Sequence, residues 1–361
     1  MPAVEMPWRK LVESIKRGNC ILILGPQVSF DPNNSDYLPL TTALAHRLAD
    51  HAKLKESKDL INRNDLAHVA QLFKQATDRY ELEIAASDFY SAYQAVTTDF
   101  HRDLAALPFT LCINAAPDDL FSNSVIEAGK KSAQDYYNFR RHRPPIASQP
   151  NSRQPYIYNL YGHYSDAESL VLTEDDLLEF LANIIKASPE LPPLIRSQVA
   201  DLSKNFLFIG FGFRSWHQRI LLHALKAQNR SYESLAVEDK QFFDLPDCSQ
   251  TAVFYSHLHK IKFECYSWLD FARELRQAYG ASVKTAIPTQ QVMTDAPKVF
   301  LCYASEDRGQ VGQLCLKLRN LGIEPWQDKQ NLRAGDNWDR QLVHVINQQV
   351  NYVIVVQTPA M

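Results

Sequence analysis

The chain has 361 residues, enough for two or three domains at about 100–200 residues each. Hydrophobic residues make up 45% and charged residues 22%, which excludes wholesale disorder, while a net charge of −3 gives no general reason to bind nucleic acid or an acidic membrane. No run approaches ~18 consecutive apolar residues and the amino end lacks a signal peptide's basic and apolar regions, so neither a membrane span nor secretion is expected.

In chain order, Trp8, Leu11, Val12 and Ile15 have helical spacing and predict a helix over 7–18, closed by Gly18-Asn19. Cys20–Leu24 is a short continuous apolar run, as in a strand covered on both faces. A turn-rich stretch from Gly25 leads to a helix near Leu40–His51, and residues 65–106 read as mainly helical. Phe109–Ile113 is a second buried strand, and Pro117-Asp118-Asp119 suits a helix start. Residues 130–155, with Arg140-Arg141-His142-Arg143, read as an exposed, mobile, solvated basic loop rather than a nucleic-acid patch. Tyr156–Leu160 is a third strand, and Thr173 caps an acidic first turn that opens a helix through Leu177, Phe180, Leu181 and Ile184. Phe206–Ile209 is a fourth strand, running through Gly210-Phe-Gly212 into a helix from about Ser215. Strands are expected near Thr251–Tyr255 and Ile261–Cys265, then a helix at Trp268–Tyr279.

Strands that alternate with helices predict an α/β fold with a mostly parallel sheet. Linker composition at 281–297 separates a first domain, 1–280, from a second, 298–361. In the second, strands are predicted at Lys298–Tyr303, Ile323–Trp326 and Tyr352–Val356, with helices at Val311–Leu321 and Trp338–Gln348. Six cysteines, at 20, 112, 248, 265, 302 and 315, contain no Cys-x-x-Cys. That excludes a zinc ribbon, argues against a disulfide framework, and leaves no metal site expected. The chain reads as cytoplasmic.

A buried strand ending in glycine, a tight loop and a helix can bring backbone N–H groups to a phosphate. Leu24-Gly25-Pro26-Gln27-Val28-Ser29 has that form, although Pro26 removes a donor, and it reads equally as a structural turn. Later segments favour the first reading. Gly25-Pro-Gln-Val-Ser29, Asn114-Ala-Ala-Pro-Asp118-Asp119-Leu120, Leu160-Tyr161-Gly162, Leu172-Thr-Glu-Asp-Asp-Leu177 and Gly210-Phe-Gly-Phe-Arg214 follow one another in a recognisable order. Together they resemble the sirtuin-like domain of bacterial NAD-cleaving defence proteins.

The resemblance implies a Rossmann-like sheet with NAD or an ADP-ribose-type nucleotide bordered by Gly25, Ser29, Asp118, Gly210 and Arg214. In the family, an Asn and a His act on the glycosidic bond. Alignment places Ala116 and Tyr161 at those positions. Alanine has no polar side chain, and a tyrosine with pKa near 10 is a poor base. Asn114 and His163, two residues away, are the weak substitutes. The resemblance therefore implies a sirtuin-like domain without its catalysis, serving as nucleotide sensor or oligomerising scaffold.

From Lys298, the chain runs Val299-Phe-Leu-Cys-Tyr303-Ala-Ser305-Glu306-Asp307, then Gly322-Ile-Glu-Pro325-Trp326-Gln-Asp328, then Leu332-Arg333-Ala-Gly335-Asp-Asn-Trp338. This resembles a bacterial TIR (Toll/interleukin-receptor) domain, a flavodoxin-like α/β fold. By that resemblance Tyr303, Ser305, Arg333, Gly335 and Trp338 border an NAD pocket. Glu306 and Asp307 read as a helix start, with catalysis the alternative. The family's catalytic glutamate lies on the helix after the third strand, which here ends near Gln357, so residues 298–361 do not contain it. They cover about half a TIR domain, and a half-domain exposes a sheet edge, so the natural reading frame is expected to continue past Met361. Little NADase activity is expected of the 361-residue chain itself. The combination implies a prokaryotic immune effector whose intact TIR domain cleaves NAD to nicotinamide and ADP-ribose products. It implies homo-oligomers through both domains, with no nucleic acid or membrane partner. The alternatives are a non-catalytic nucleotide-binding and self-association module, or residual sirtuin-type hydrolysis.

Overall fold

The computed structural model describes residues 6–34, 37–51, 54, 57–146, 149–213, 216–224, 231–286, 298–303, 305–321, 323–326 and 352–356. The chain divides into two compact units, Met1–Val283 and Lys284–Met361.

In the first, α1 (Trp8–Lys16) leads to β1 (Cys20–Leu24), then α2 (Leu40–Ala49), α3 (Leu66–Ala76), α4 (Arg79–Ser91) and α5 (Asp99–Ala105). Next come β2 (Leu111–Asn114), α6 (Leu120–Glu127), β3 (Ala133–Tyr136), β4 (Tyr156–Asn159), α7 (Glu174–Lys186), α8 (Pro193–Ala200) and β5 (Asn205–Ile209). The unit closes with α9 (Trp216–Ala224), β6 (Ser234–Glu238), α10 (Lys240–Phe243), α11 (Cys248–His259), β7 (Ile261–Cys265) and α12 (Trp268–Ala286).

The apolar run of β1 explains its central place. Ile21 and Ile23 enter the core beneath α7, α8, α9 and α11, while Cys20, Leu22 and Leu24 enter the core beneath α1, α5, α6 and α12. Each fully buried Leu or Ile contributes about 1.5–3 kcal/mol. All pairings are parallel, in the order β3-β4-β2-β1-β5-β6-β7. The winding direction reverses between β1 and β5, the place where open α/β sheets receive ligands. A third apolar cluster joins α2, α3 and α4 through Leu44, Val69, Phe73 and Phe89, and Leu120 and Leu170 tie it to the sheet layer.

Several sequence expectations change. Thr251–Tyr255 is helical, inside α11, because Cys248, Thr251, Tyr255 and His259 are the buried positions, a helical rather than alternating spacing. β6 was not anticipated, since Ser-Leu-Ala-Val-Glu carries little strand propensity. Residues 130–155 are not a solvated basic loop throughout: Ala133–Tyr136 forms β3, and Arg143 pairs with buried Asp135 at 3.0 Å. α12 runs past Tyr279 to Ala286, and Lys16 Nζ donates to Ser282 O at 3.2 Å along the way.

In the second unit, β8 (Lys298–Cys302), α13 (Arg308–Asn320), β9 (Glu324–Trp326) and β10 (Tyr352–Val355) form a parallel sheet ordered β10-β8-β9 against one helix. Val299, Leu301, Val311, Cys315 and Leu318 make its core. With the first strand central, this is the start of a flavodoxin-like order. The helix expected at Trp338–Gln348 lies outside the described residues. No helix among the described residues is long and apolar enough to cross a membrane.

Candidate functional site

At the reversal point, the loops after β1 and β5 meet backbone to backbone. A Cβ on Gly25 would lie 2.0 Å from the carbonyl oxygen of Gly210, so only glycine fits. Gly25 donates to Ile209 O at 2.9 Å and Gln27 to Gly210 O at 3.3 Å. Pro26–Val28 is a 3-10 turn in which Val28 donates to Gly25 O at 3.4 Å and Ser29 to Pro26 O at 3.3 Å. The backbone donors that a phosphate loop would present are therefore engaged internally. Gly210 and Gly212 take φ of +59° and +78°, and Gly212 donates to Glu238 Oε1 at 2.8 Å. Glu238, at the end of β6, is fully buried, and burial pushes its carboxyl up to about 8. Its Oε2 has no hydrogen-bond partner among the described residues. Sequence reasoning missed this residue because it missed β6. The signal was an acid closing the apolar run Leu235-Ala-Val.

The carboxyl ends of β2 and β4 carry the second part of the site. Asn114 pairs in register with Asn159 and Leu24. Ser29 and Asp118 meet directly: Ser29 Oγ donates to Asp118 Oδ2, and Leu120 N donates to Oδ1 at 3.0 Å. Burial pushes the Asp118 carboxyl up against the lowering pull of those bonds. Asn159 Nδ2 donates to Asp118 O at 3.0 Å, and its buried Oδ1 has no partner among the described residues. Ala116 is 1% exposed and contributes no polar group.

His163 is clasped at both ring nitrogens. Nδ1 meets Ser165 Oγ at 2.8 Å and also accepts Ser165 N–H at 3.3 Å, while Nε2 meets Asp119 Oδ1 at 2.8 Å. Accepting an N–H at Nδ1 puts the proton of the neutral ring on Nε2, pointed at Asp119. Tyr136 stacks on the imidazole with its centroid 5.5 Å away, and the Tyr164 ring lies tilted against it at 4.5 Å. Burial pushes the Asp119 carboxyl up, but hydrogen bonds from His163, Tyr164 and Gln134 outweigh it and hold the group below its ordinary value. Tyr161 packs edge-on against Phe180, 5.0 Å between centroids, in the apolar layer. Burial pushes its phenol well up. Tyr161 thus lies in the apolar layer, while both ring nitrogens of His163 are engaged by side chains.

In the second unit, Tyr303 packs against the small core and Ser305 opens a short turn ahead of α13. That turn agrees with Glu306 and Asp307 as a helix start. Arg214, Arg333, Gly335 and Trp338 lie outside the described residues. Among the described residues, no group of three or more His, Cys, Asp or Glu is placed to hold a metal ion.

Residues 115–246 match the family model of a SIR2-like domain, and residues 299–361 match that of a TIR domain. The first match spans Asp118, His163 and Gly210 but not Gly25 or Ser29. No curated protein matches the chain.

Proposed function

For a chain that carries a SIR2-like domain followed by a TIR domain, we propose a prokaryotic defence effector in which the work is divided. The TIR part of the intact protein cleaves NAD to nicotinamide and ADP-ribose products. The SIR2-like part does not hydrolyse NAD and acts as sensor or scaffold, with self-association through both parts. Both domain types are NAD-related, which supports the dinucleotide as ligand. The observation that carries the division is the engagement of both His163 nitrogens, together with Ala116, buried and without a polar side chain, at the other aligned position. Loss of nicotinamide departs through positive charge on the ribose, which needs an oriented polar group or base.

The test is nicotinamide release from NAD by the intact protein under conditions that cluster it. Trp338→Ala should lower release at least tenfold, and Asn114→Ala should leave it unchanged. The reverse pattern would assign the chemistry to the SIR2-like part. A second reading, a nucleotide-binding module without chemistry, is favoured by Asn159 Oδ1, buried and without a partner among the described residues. It predicts calorimetric binding of NAD or ADP-ribose with no product under the same conditions.

A further inference from the structure

We propose that the cavity at the amino ends of β1, β2 and β5 is a binding site for a small phosphate monoester with an apolar body. It opens at the opposite edge of the sheet from Gly25, Asp118 and Gly210 and shares no residue with the candidate site. About 270 Å³ is bounded by Arg17 from the turn after α1, Thr110 and Leu111 where β2 begins, Leu194 and Gln198 of α8, and Lys204 from the turn before β5. That volume lies near the lower end, about 300 Å³, of small-molecule sites, which suits one ring with a phosphate and is too small for a dinucleotide.

The lining divides by chemistry. Leu111 and Leu194 supply apolar wall, and Gln198 joins Leu194 because positions four apart stand on one helix face. The charged lining residues, Arg17 and Lys204, are both cations. Lys204 Nζ donates to Gly18 O at 2.7 Å, which occupies one of its three protons. It forms no ion pair among the described residues, and Asp201 acts on it only at longer range. Burial pushes the ammonium down, as for a cation held without a close anion. Arg17 Nε stands 3.9 Å from Glu13, beyond hydrogen-bond reach, and its side chain is 72% exposed, so its fork is available to a phosphate. Thr110, whose Cγ2 stands 3.7 Å from where a Cβ on Gly18 would lie, and Gln198 offer further polar groups that make no side-chain hydrogen bond among the described residues. Two cations match a phosphate monoester, which carries about −1.5 to −2 at pH 7, better than a single carboxylate.

The probe is phenyl phosphate, titrated calorimetrically into the 361-residue chain, with amide hydrogen exchange followed in parallel. It should bind saturably with Kd below about 1 mM and protect amides at 17–18, 110–111 and 204–205. Inorganic phosphate, which lacks the apolar body, should bind about tenfold more weakly or worse. Arg17→Gln and Lys204→Met should each weaken phenyl phosphate by about tenfold or more. Arg196→Gln removes a cation of α8 that pairs with Glu190 and does not line the cavity, and it should bind as wild type does. If Lys204→Met does not fold for want of the Gly18 bond, Arg17→Gln makes the same comparison from an exposed side chain. No saturation in that range, unchanged binding by Arg17→Gln, or an equal loss in Arg196→Gln would overturn the proposal. Equal affinity for inorganic phosphate, or protection at 25–29 and 210–213 instead, would overturn it as well. The titration contains no NAD, so it and the nicotinamide assay can each fail alone.

Discussion

Asp176 offers the sharpest test of how the helical module is fixed to the sheet. The residue is 3% exposed, and its carboxylate serves four donors: Arg140 at 2.7 Å, Arg79 at 2.5 Å, and the Leu172 and Thr173 amides at 3.0 Å each. Thr173 and Asp176 form the capping box that starts α7. Asp176→Ala leaves two buried amides unpaired, at about 1–3 kcal/mol each. The guanidinium side chains of Arg79 and Arg140 are 24% and 31% exposed, so water recovers most of what they lose. The expected cost is about 4 kcal/mol, within the range for breaking a buried pair from one side. Burial pushes the Asp176 carboxyl up, but the Thr173 amide and Arg79 outweigh it and hold it below the ordinary value. Its contribution is therefore present above the unfolded value near 4 and lost as pH falls through the lower folded one. Urea unfolding, with exchange of the α7 amides to assign the transition, should show a gap between wild type and variant at pH 7 that closes in acid. A cost below about 1 kcal/mol, or a gap that stays constant down to pH 2, would refute the reasoning.

Other outcomes follow from the same structure. Glu238, raised to about 8 by burial, binds its proton more tightly in the folded state, so its contribution to stability should fall by roughly 1.4 kcal/mol per pH unit from about 4.5 to about 8, a fall that His101 opposes below about 6.5. Glu238→Gln should flatten that limb in thermal melts across pH. His101 is buried beside Phe100 and Phe121, and burial pushes its imidazole down to about 3. Its contribution should therefore rise with pH between about 3 and 6.5, opposing Glu238 above about 4.5, so His101→Phe should steepen the fall there. Gly25→Ala places a Cβ on backbone that cannot move aside and should cost more than about 3 kcal/mol or prevent folding. Gly280→Ala, in α12 with nothing within 4 Å of the new Cβ, should stabilise the chain by about 0.5–1 kcal/mol, both read from urea midpoints.

What the sequence disclosed depended on whether the information was local. Continuous apolar runs such as Cys20–Leu24 and Phe206–Ile209 announce strands buried on both faces, and Thr173 with its acids announces a helix start. The second unit was legible because its strands and helix each carry their own pattern. β6 and α11 were misread because Ser234–Glu238 and Thr251–Tyr255 have propensities that tertiary packing overrides. The basic run at 140–143 looked solvated because its acids, Asp135, Asp166 and Asp176, come from three other segments.

The site shows the same division between local and distant information. Proximity in sequence made His163 look like a substitute base, yet its ring is held by Asp119, 44 residues away, and by Tyr136 at the end of β3. The bond between Ser29 and Asp118, 89 residues apart, was not legible, because it joins the loops after two neighbouring strands. Knowing that a polar side chain sits at the mouth of a parallel sheet says where it is, not whether its lone pair is free. That depends on partners contributed by other loops. For His163, Asp119 meets one nitrogen and Ser165 of its own loop the other, an arrangement the spacing of Tyr161 and His163 alone does not reveal.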